Sequence, residues 1–171
     1  RDIMATRPHV SFTLYDEAAL ALHAVTGASF ETVLMGQQFV YRAIGIAGLY
    51  FLAAALGFTP WKALLVAAVI SLGATINGPA VLTVEYEPVP RGFSLPFLIA
   101  SMAAAGHRKW TIAAASATIA FAFHPPTAVA YCALLCVLLI VNRRISDLAV
   151  LAAGPVLMLA TAPGSRGAGR R

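Results

Sequence analysis

Long apolar runs alternate with short polar breaks along this chain, and the longest run sets the pattern. From 110 to 141 no side chain is formally charged, and His124-Pro125-Pro126 interrupts the run near its middle. Basic clusters bracket it, His107-Arg108-Lys109 before and Asn142-Arg143-Arg144 after. A helix needs about 20 apolar residues to cross roughly 30 Å of hydrocarbon. Basic flanks stay on the cytoplasmic side, so two basic ends imply an even number of crossings. The residue before a proline avoids the α region, and paired prolines suit a turn and the first turn of a new helix. The pattern predicts a helical hairpin with arms over 110–123 and 127–141. Each arm has about 14–15 residues, or about 21–23 Å of helix, which is short for a bilayer.

The remaining pattern predicts an all-α, polytopic transmembrane helical bundle with short, Pro/Gly-broken spans. Residues 1–14 are polar and mixed and form an extended lead-in. From Asp16 to Gly27 a short amphipathic helix is expected, with Asp16 as its cap, Glu17 complementing its dipole and Gly27 stopping it. It is too short to span and belongs in the interface plane. Ser29 starts a second helix, with Thr32 where a capping box has Glu. Extracytoplasmic lead-in and amphipathic helices thus occupy 1–38, and the transmembrane region 39–162. Its spans are expected over 39–58, 61–82, 93–106, 110–123, 127–141 and 147–162. Asn77-Gly78-Pro79 loosens the second span and Gly154-Pro155 interrupts the last. A disordered basic tail covers 163–171.

Charge gives the bundle a direction. Lys62, His107-Arg108-Lys109 and Arg143-Arg144 fall on one side, and Asp16, Glu17, Glu31, Glu85, Glu87, Arg91 and His124 on the other. Alternation holds through five crossings with the acidic loops extracytoplasmic. A sixth would carry Arg166, Arg170 and Arg171 outward against that rule, so either 147–162 does not cross or the tail is foreign. Gly45/Gly48, Ala113/Ala117 and Ser101/Ala105 place small residues on shared faces, which permits close helix approach.

Composition agrees. The chain is 60% hydrophobic and 11% charged, against about 25% charge in average soluble domains. A helix apolar all round belongs in lipid or a very large core, and a chain of this length cannot build the latter. The net charge of +5 comes from residues at the ends of apolar runs, with no basic stripe interleaved with aromatics, so no nucleic-acid partner is expected. The small excess fits loops that face anionic lipid headgroups. Cys132 and Cys136, at i,i+4 in one apolar arm, are expected as packing residues. The start without methionine and the Gly/Ser/Arg-rich end suggest a piece of a longer protein, expected to be inactive alone.

Four places carry candidate chemistry. Asp16 and Glu17 are adjacent carboxylates just outside the membrane, suited to general-base work or to a divalent cation, unless they only cap their helix. Glu85 and Glu87 share one side of an extended loop, and Arg91 at its end has the geometry for a bidentate phosphate contact. The plainer reading is a solvated loop with an interface anchor. His124 at the hairpin tip is a candidate phosphate partner or proton carrier, or a turn residue bonded locally. Arg42, a turn after Gln37 and Gln38, faces protein or snorkels to the interface. No phosphate-cradling glycine loop, zinc-spacing cluster, nucleophile elbow or dinucleotide fingerprint occurs, so no resident metal or cofactor is implied and nucleotide-driven chemistry is excluded for these residues.

Tyr15-Asp16-Glu17-Ala18 ahead of a short amphipathic helix, then short alternating spans, resembles membrane-embedded glycosyltransferases of the GT-C type. So does the alanine-rich arm from Trp110 to His124-Pro125-Pro126-Thr127-Ala128. The resemblance covers about residues 12–145. It implies a bacterial inner-membrane, multi-pass protein that transfers a sugar from a polyprenyl-phosphate donor on the extracytoplasmic face. Asp16 is then the base that activates the acceptor hydroxyl, with Glu17 its neighbour. Arg91 and His124 are placed for the donor phosphate by location. Its partners are membrane lipid and the lipid-linked donor. The rival readings are a transporter or flippase subunit, suggested by the broken helices, and a structural membrane subunit without chemistry.

Overall fold

The computed structural model describes residues 13–72, 75–76, 81–82 and 88–161. Among them the chain forms seven helices: α1 Tyr15–Thr26, α2 Phe30–Ala55, α3 Pro60–Ser71, α4 Pro90–Gly106, α5 Trp110–Phe123, α6 Pro125–Val141 and α7 Ile145–Thr161. One two-residue antiparallel pair, β1 Thr75–Ile76 with β2 Val81–Leu82, matches Thr75 to Leu82 and Ile76 to Val81. The all-α expectation stands. By length and apolarity α2 alone passes as a membrane span, and α3, α5, α6 and α7 are shorter apolar helices.

Side-chain bonds fix the helix directions. Ser94 Oγ donates to the Ala120 carbonyl at 2.9 Å and Ser101 Oγ to that of Ala113 at 2.6 Å, so α4 and α5 run antiparallel. Thr111 Oγ1 donates to Asp147 Oδ1 at 2.7 Å and Thr118 Oγ1 to the Val150 carbonyl at 2.7 Å, so α5 and α7 run parallel. A Cβ at Gly45 would meet Pro96 at 3.3 Å and one at Gly48 the Ala100 nitrogen at 3.0 Å, so α2 and α4 also run parallel in close contact. Between α5 and α6 the expected hairpin is present. Cys132 packs with Ala117 across the turn, its Sγ 3.8 Å from that carbonyl. The packing order is thus α3 on α2, α2 on α4, α4 on α5, with α6 and α7 on α5.

Three turns meet at one end of this bundle and share one construction. After α2, Gly57 N–H bonds to the Ala54 carbonyl and Phe58 N–H to that of Ala53. After α4, Arg108 bonds back to Ala105 and Lys109 to Ala104, and after α6, Arg143 to Ile140 and Arg144 to Leu139. This is the Schellman pattern, closed by one left-handed residue. Gly57 fills that place once (φ 88°), but Arg108 (φ 58°) and Arg143 (φ 56°) fill the other two.

The core is small-residued and the outside is large. Ala63, Ala67, Ala113, Ala114, Ala117, Ala120 and Ala128 are buried, while Val25, Phe39, Leu72, Val141 and Leu159 stand more than 70% exposed. Phe93, Leu135 and Leu139 are the large apolar side chains that are wholly enclosed among the described residues. Cys132 and Cys136 are free thiols packed beside the Ala113–Leu139 cluster, as expected of packing residues.

Several expected boundaries move. The apolar stretch 61–82 is not one helix, because α3 ends at Ser71 and the chain then forms the β1–β2 pair. The signal was present: Thr75, Ile76, Val81 and Leu82 are mostly β-branched and flank Asn77-Gly78-Pro79, a turn sequence. The supposed interfacial segment before 39 and the span after it are one unbroken helix, α2, since Gln37 and Gln38 are good helix formers. Prolines at the first helical positions start α4 and α6 earlier than expected, at Pro90 and Pro125. Gly154-Pro155 does not break α7, and Pro96 lies inside α4. Asp16 is not the cap of α1: the helix begins one residue earlier, with Leu14 at the cap and no side-chain bond. Gly27 ends α1 in the left-handed conformation, and Ser29 caps α2 through the Thr32 N–H, both as expected. Glu85, Glu87 and the tail from 162 onward lie outside the described residues, as does the lead-in up to residue 12.

Two glycines of one helix should respond with opposite sign. Gly48→Ala forces a Cβ to 3.0 Å from the α4 backbone, and overpacking of about 1–3 kcal/mol outweighs the gain in helix propensity of about 1 kcal/mol. Gly36→Ala meets nothing within 4 Å and should leave stability equal or raise it. Melting of the two purified variants in one detergent checks the pair.

Candidate functional site

Opposite the three turns, the far ends of α2, α4 and α5 converge on an aromatic cluster. Tyr41 of α2 is its hub, 5.0 Å from Phe93, 5.1 Å from Phe97 and 5.5 Å from Phe123 between ring centroids. Tyr15 of α1 joins at 5.1 Å from Phe93. Aromatic pairs at such distances contribute about 0.5–1.5 kcal/mol beyond the area they bury. They hold four helices in fixed relation.

That frame sets the candidate residues. The Leu14 N–H donates to the Ala122 carbonyl at 2.8 Å, tying the start of α1 beside the end of α5. The Tyr15 hydroxyl donates to the Pro88 carbonyl, tying it also to the approach to α4. Burial, and then the neighbouring Asp16 charge, raise the Tyr15 phenol above its usual range, so it remains a donor. Asp16 and Glu17 follow on the exposed side of α1. His124 is at once the last cap of α5 and the first of α6, in an extended conformation (φ −154°, ψ 88°), as a residue before proline must be. Its Nδ1 shares a 2.6 Å hydrogen bond with Thr127 Oγ1. Arg91, second residue of α4, lies close enough for its charge to act on this imidazole.

So Asp16, Glu17, Arg91 and His124 share one end of the bundle, and Arg91 and His124 are direct electrostatic neighbours. Arg42 is set apart from them, in a cleft of about 230 Å³ between α2, the end of α3 and α4. Gln38, Tyr41, Arg42 and Ser71 give this cleft its polar part, and Ile46, Leu49, Leu95 and Ile99 its apolar part. Buried beside it, Gln37 donates from Nε2 to the Tyr41 hydroxyl at 3.3 Å. Its Oε1 has no hydrogen-bond partner among the described residues. The carboxylates Glu85 and Glu87, expected against Arg42 or Arg91, fall outside the described residues.

Residue-by-residue reading missed the role of Tyr41 and Gln37. Their i,i+4 spacing inside an otherwise apolar helix was the available signal. It also missed Asp147, the single acidic residue between Trp110 and Arg171, which is buried at the start of α7 and accepts from Thr111. Among the described residues no three His, Cys, Asp or Glu side chains gather as a metal site. Comparison with protein-family models, with curated proteins and with solved structures gives no match.

His124 makes a pH prediction. Burial first, and the Arg91 charge second, lower its pKa from the ordinary value near 6.5. The unfolded chain therefore takes up the proton first as pH falls. Stability should be constant above that ordinary value, decline as pH drops through it, and level off below the folded value. Thermal midpoints from pH 8 to pH 5 should fall less for His124→Gln than for the parent, a difference that separates His124 from the other histidines.

Proposed function

We propose that this chain is a multi-pass helical membrane protein whose acidic end takes a lipid-linked sugar phosphate, in the manner of the GT-C-type glycosyltransferases it resembles. The observation that supports this best is the joining of Arg91 and His124 at the hairpin tip, on the same end as the exposed Asp16 and Glu17. A cation, a neutral imidazole and a carboxylate pair are what phosphate binding with hydroxyl activation needs. The amphipathic cleft beside them suits a chain with a polar head, its polar residues Gln38 and Arg42 nearer the acidic end and Leu49 deeper.

Placement in a bilayer is supported by the inverted size distribution, alanine within and large apolar side chains without. Water disfavours such contiguous apolar surface, and lipid accepts it. Lys62, Arg108, Lys109, Arg143 and Arg144 all sit at the three-turn end, so the positive-inside rule puts that end in the cytoplasm. α1, with Leu20, Leu22 and Val25 exposed, then lies at the outer interface. The short arms α5 and α6 fit such an arrangement because they pack against α4 and α7 and are only partly ringed by lipid. Helices that run unbroken through Pro96 and Pro155 remove the main motive for a transporter reading.

In this reading Asp16 withdraws the proton of the acceptor hydroxyl, Glu17 keeps the site anionic, and Arg91 with His124 holds the donor phosphate. The full-length gene product should transfer sugar from polyprenyl-phosphate donors, and Asp16→Asn should lower the rate about 10²-fold or more. Full activity in that variant would sink the assignment. Topology has its own check. A cysteine at Pro126 should react with a membrane-impermeant maleimide in intact cells, and one at Arg143 only after permeabilisation.

A further inference from the structure

The three-turn end carries a feature that neither sugar transfer nor the fold requires. The α4–α5 and α6–α7 turns are neighbours, since Thr111 near the start of α5 bonds to Asp147 near the start of α7. They bring together four exposed cations, Arg108, Lys109, Arg143 and Arg144. The nearest acidic group described there, Asp147, is buried and already engaged by Thr111, so it does not cover them. Directly beneath the cations stand Ile112, Ile140, Val141 and Ile145, each more than half exposed. A patch that is cationic at its rim and apolar one turn below fits a ligand that is anionic at its head and hydrocarbon beyond.

From this we propose that the paired turns form a binding site for an anionic phospholipid of the leaflet they face, its headgroup on Arg108 and Arg143 and its acyl chains along the apolar side chains beneath. A free phosphate or a nucleic acid uses the cations but not the isoleucines. The backbone adds a reason to see the arginines as kept for a ligand. Both occupy left-handed positions where glycine is at ease and an L-residue is strained, and the matching turn after α2 does use glycine. The proposal rests on the membrane reading above.

The test compares the full chain in nanodiscs of phosphatidylcholine alone with nanodiscs containing 30% phosphatidylglycerol, reading the melting midpoint and the lipids retained in native mass spectrometry. Stable incorporation into phosphatidylcholine is the membrane reading's own check, and its failure is seen before any question of headgroup arises. The parent should melt higher with phosphatidylglycerol and retain it, with the increment suppressed in 0.5 M NaCl. Arg108→Gly with Arg143→Gly should melt no lower in phosphatidylcholine yet bind phosphatidylglycerol about 20–30-fold more weakly, from about fivefold per cation. Arg108→Lys with Arg143→Lys should keep most of the affinity. A parent that gains equally from both lipids overturns the site. So does a glycine pair that keeps the full phosphatidylglycerol increment, or one that melts lower in phosphatidylcholine, since the arginines would then serve the fold.

Discussion

The antiparallel seam between α4 and α5 is the contact on which everything else is mounted. Two serine hydroxyls, seven residues apart, reach across it to two carbonyls seven residues apart on the other helix. Such bonds contribute about 0.6–2 kcal/mol each between apolar helices, but their larger effect is on register. They place Ala113, Ala117 and Ala120 under α4, where no longer side chain fits. Ser101 also shares a 3.0 Å hydrogen bond with the Tyr131 hydroxyl, so the same residue seats α6. With α4 and α5 fixed, α2 can lie against α4 through Gly45 and Gly48, and α7 against α5 through Thr111 and Thr118.

Close approach has a consequence for where bulk can go. Backbones brought together over alanine, glycine and serine leave little volume between them, so the leucines, isoleucines and phenylalanines must point outward. The exception is the end where Tyr41, Phe93, Phe97 and Phe123 turn inward. There the helices splay enough to admit rings, a cleft opens between α2 and α4, and the candidate residues Arg91, His124 and Arg42 gather around it. Tight packing at the centre and looseness at one end arise from one pattern of residue sizes. Dispersion between closely spaced backbones, rather than burial of large side chains, is what holds such a bundle.

Much of this was written in the pattern of polar and apolar positions. The hairpin at His124 followed from proline sterics and needed no tertiary information, and the α5 limits agree with the apolar run itself. The small-residue faces at Gly45/Gly48 and Ala113/Ala117 were visible as spacing, and their packing is as expected. The division of basic from acidic ends was visible as charge. What hydropathy hid was the difference between a helix and a strand of the same apolarity: residues 72–82 are as apolar as a span, and only their β-branching and the Asn-Gly-Pro turn say otherwise. It hid Asp16's true position as well, because a residue one place inside a helix and a residue capping it look alike in sequence.

The candidate site was less legible for a reason of distance. Arg91 and His124 are more than thirty residues apart, and only the α4–α5 seam makes them neighbours. Spacing can tell which residues share a helix face but not which helices share an end, so each group read singly had a dull alternative. His124 illustrates how the two readings combine. It does bond locally, to Thr127, as a turn histidine should, and that bond fixes the ring where the Arg91 charge acts on it. The local role is what makes the long-range one definite, because an imidazole free to rotate could not hold a phosphate at a fixed angle to a guanidinium.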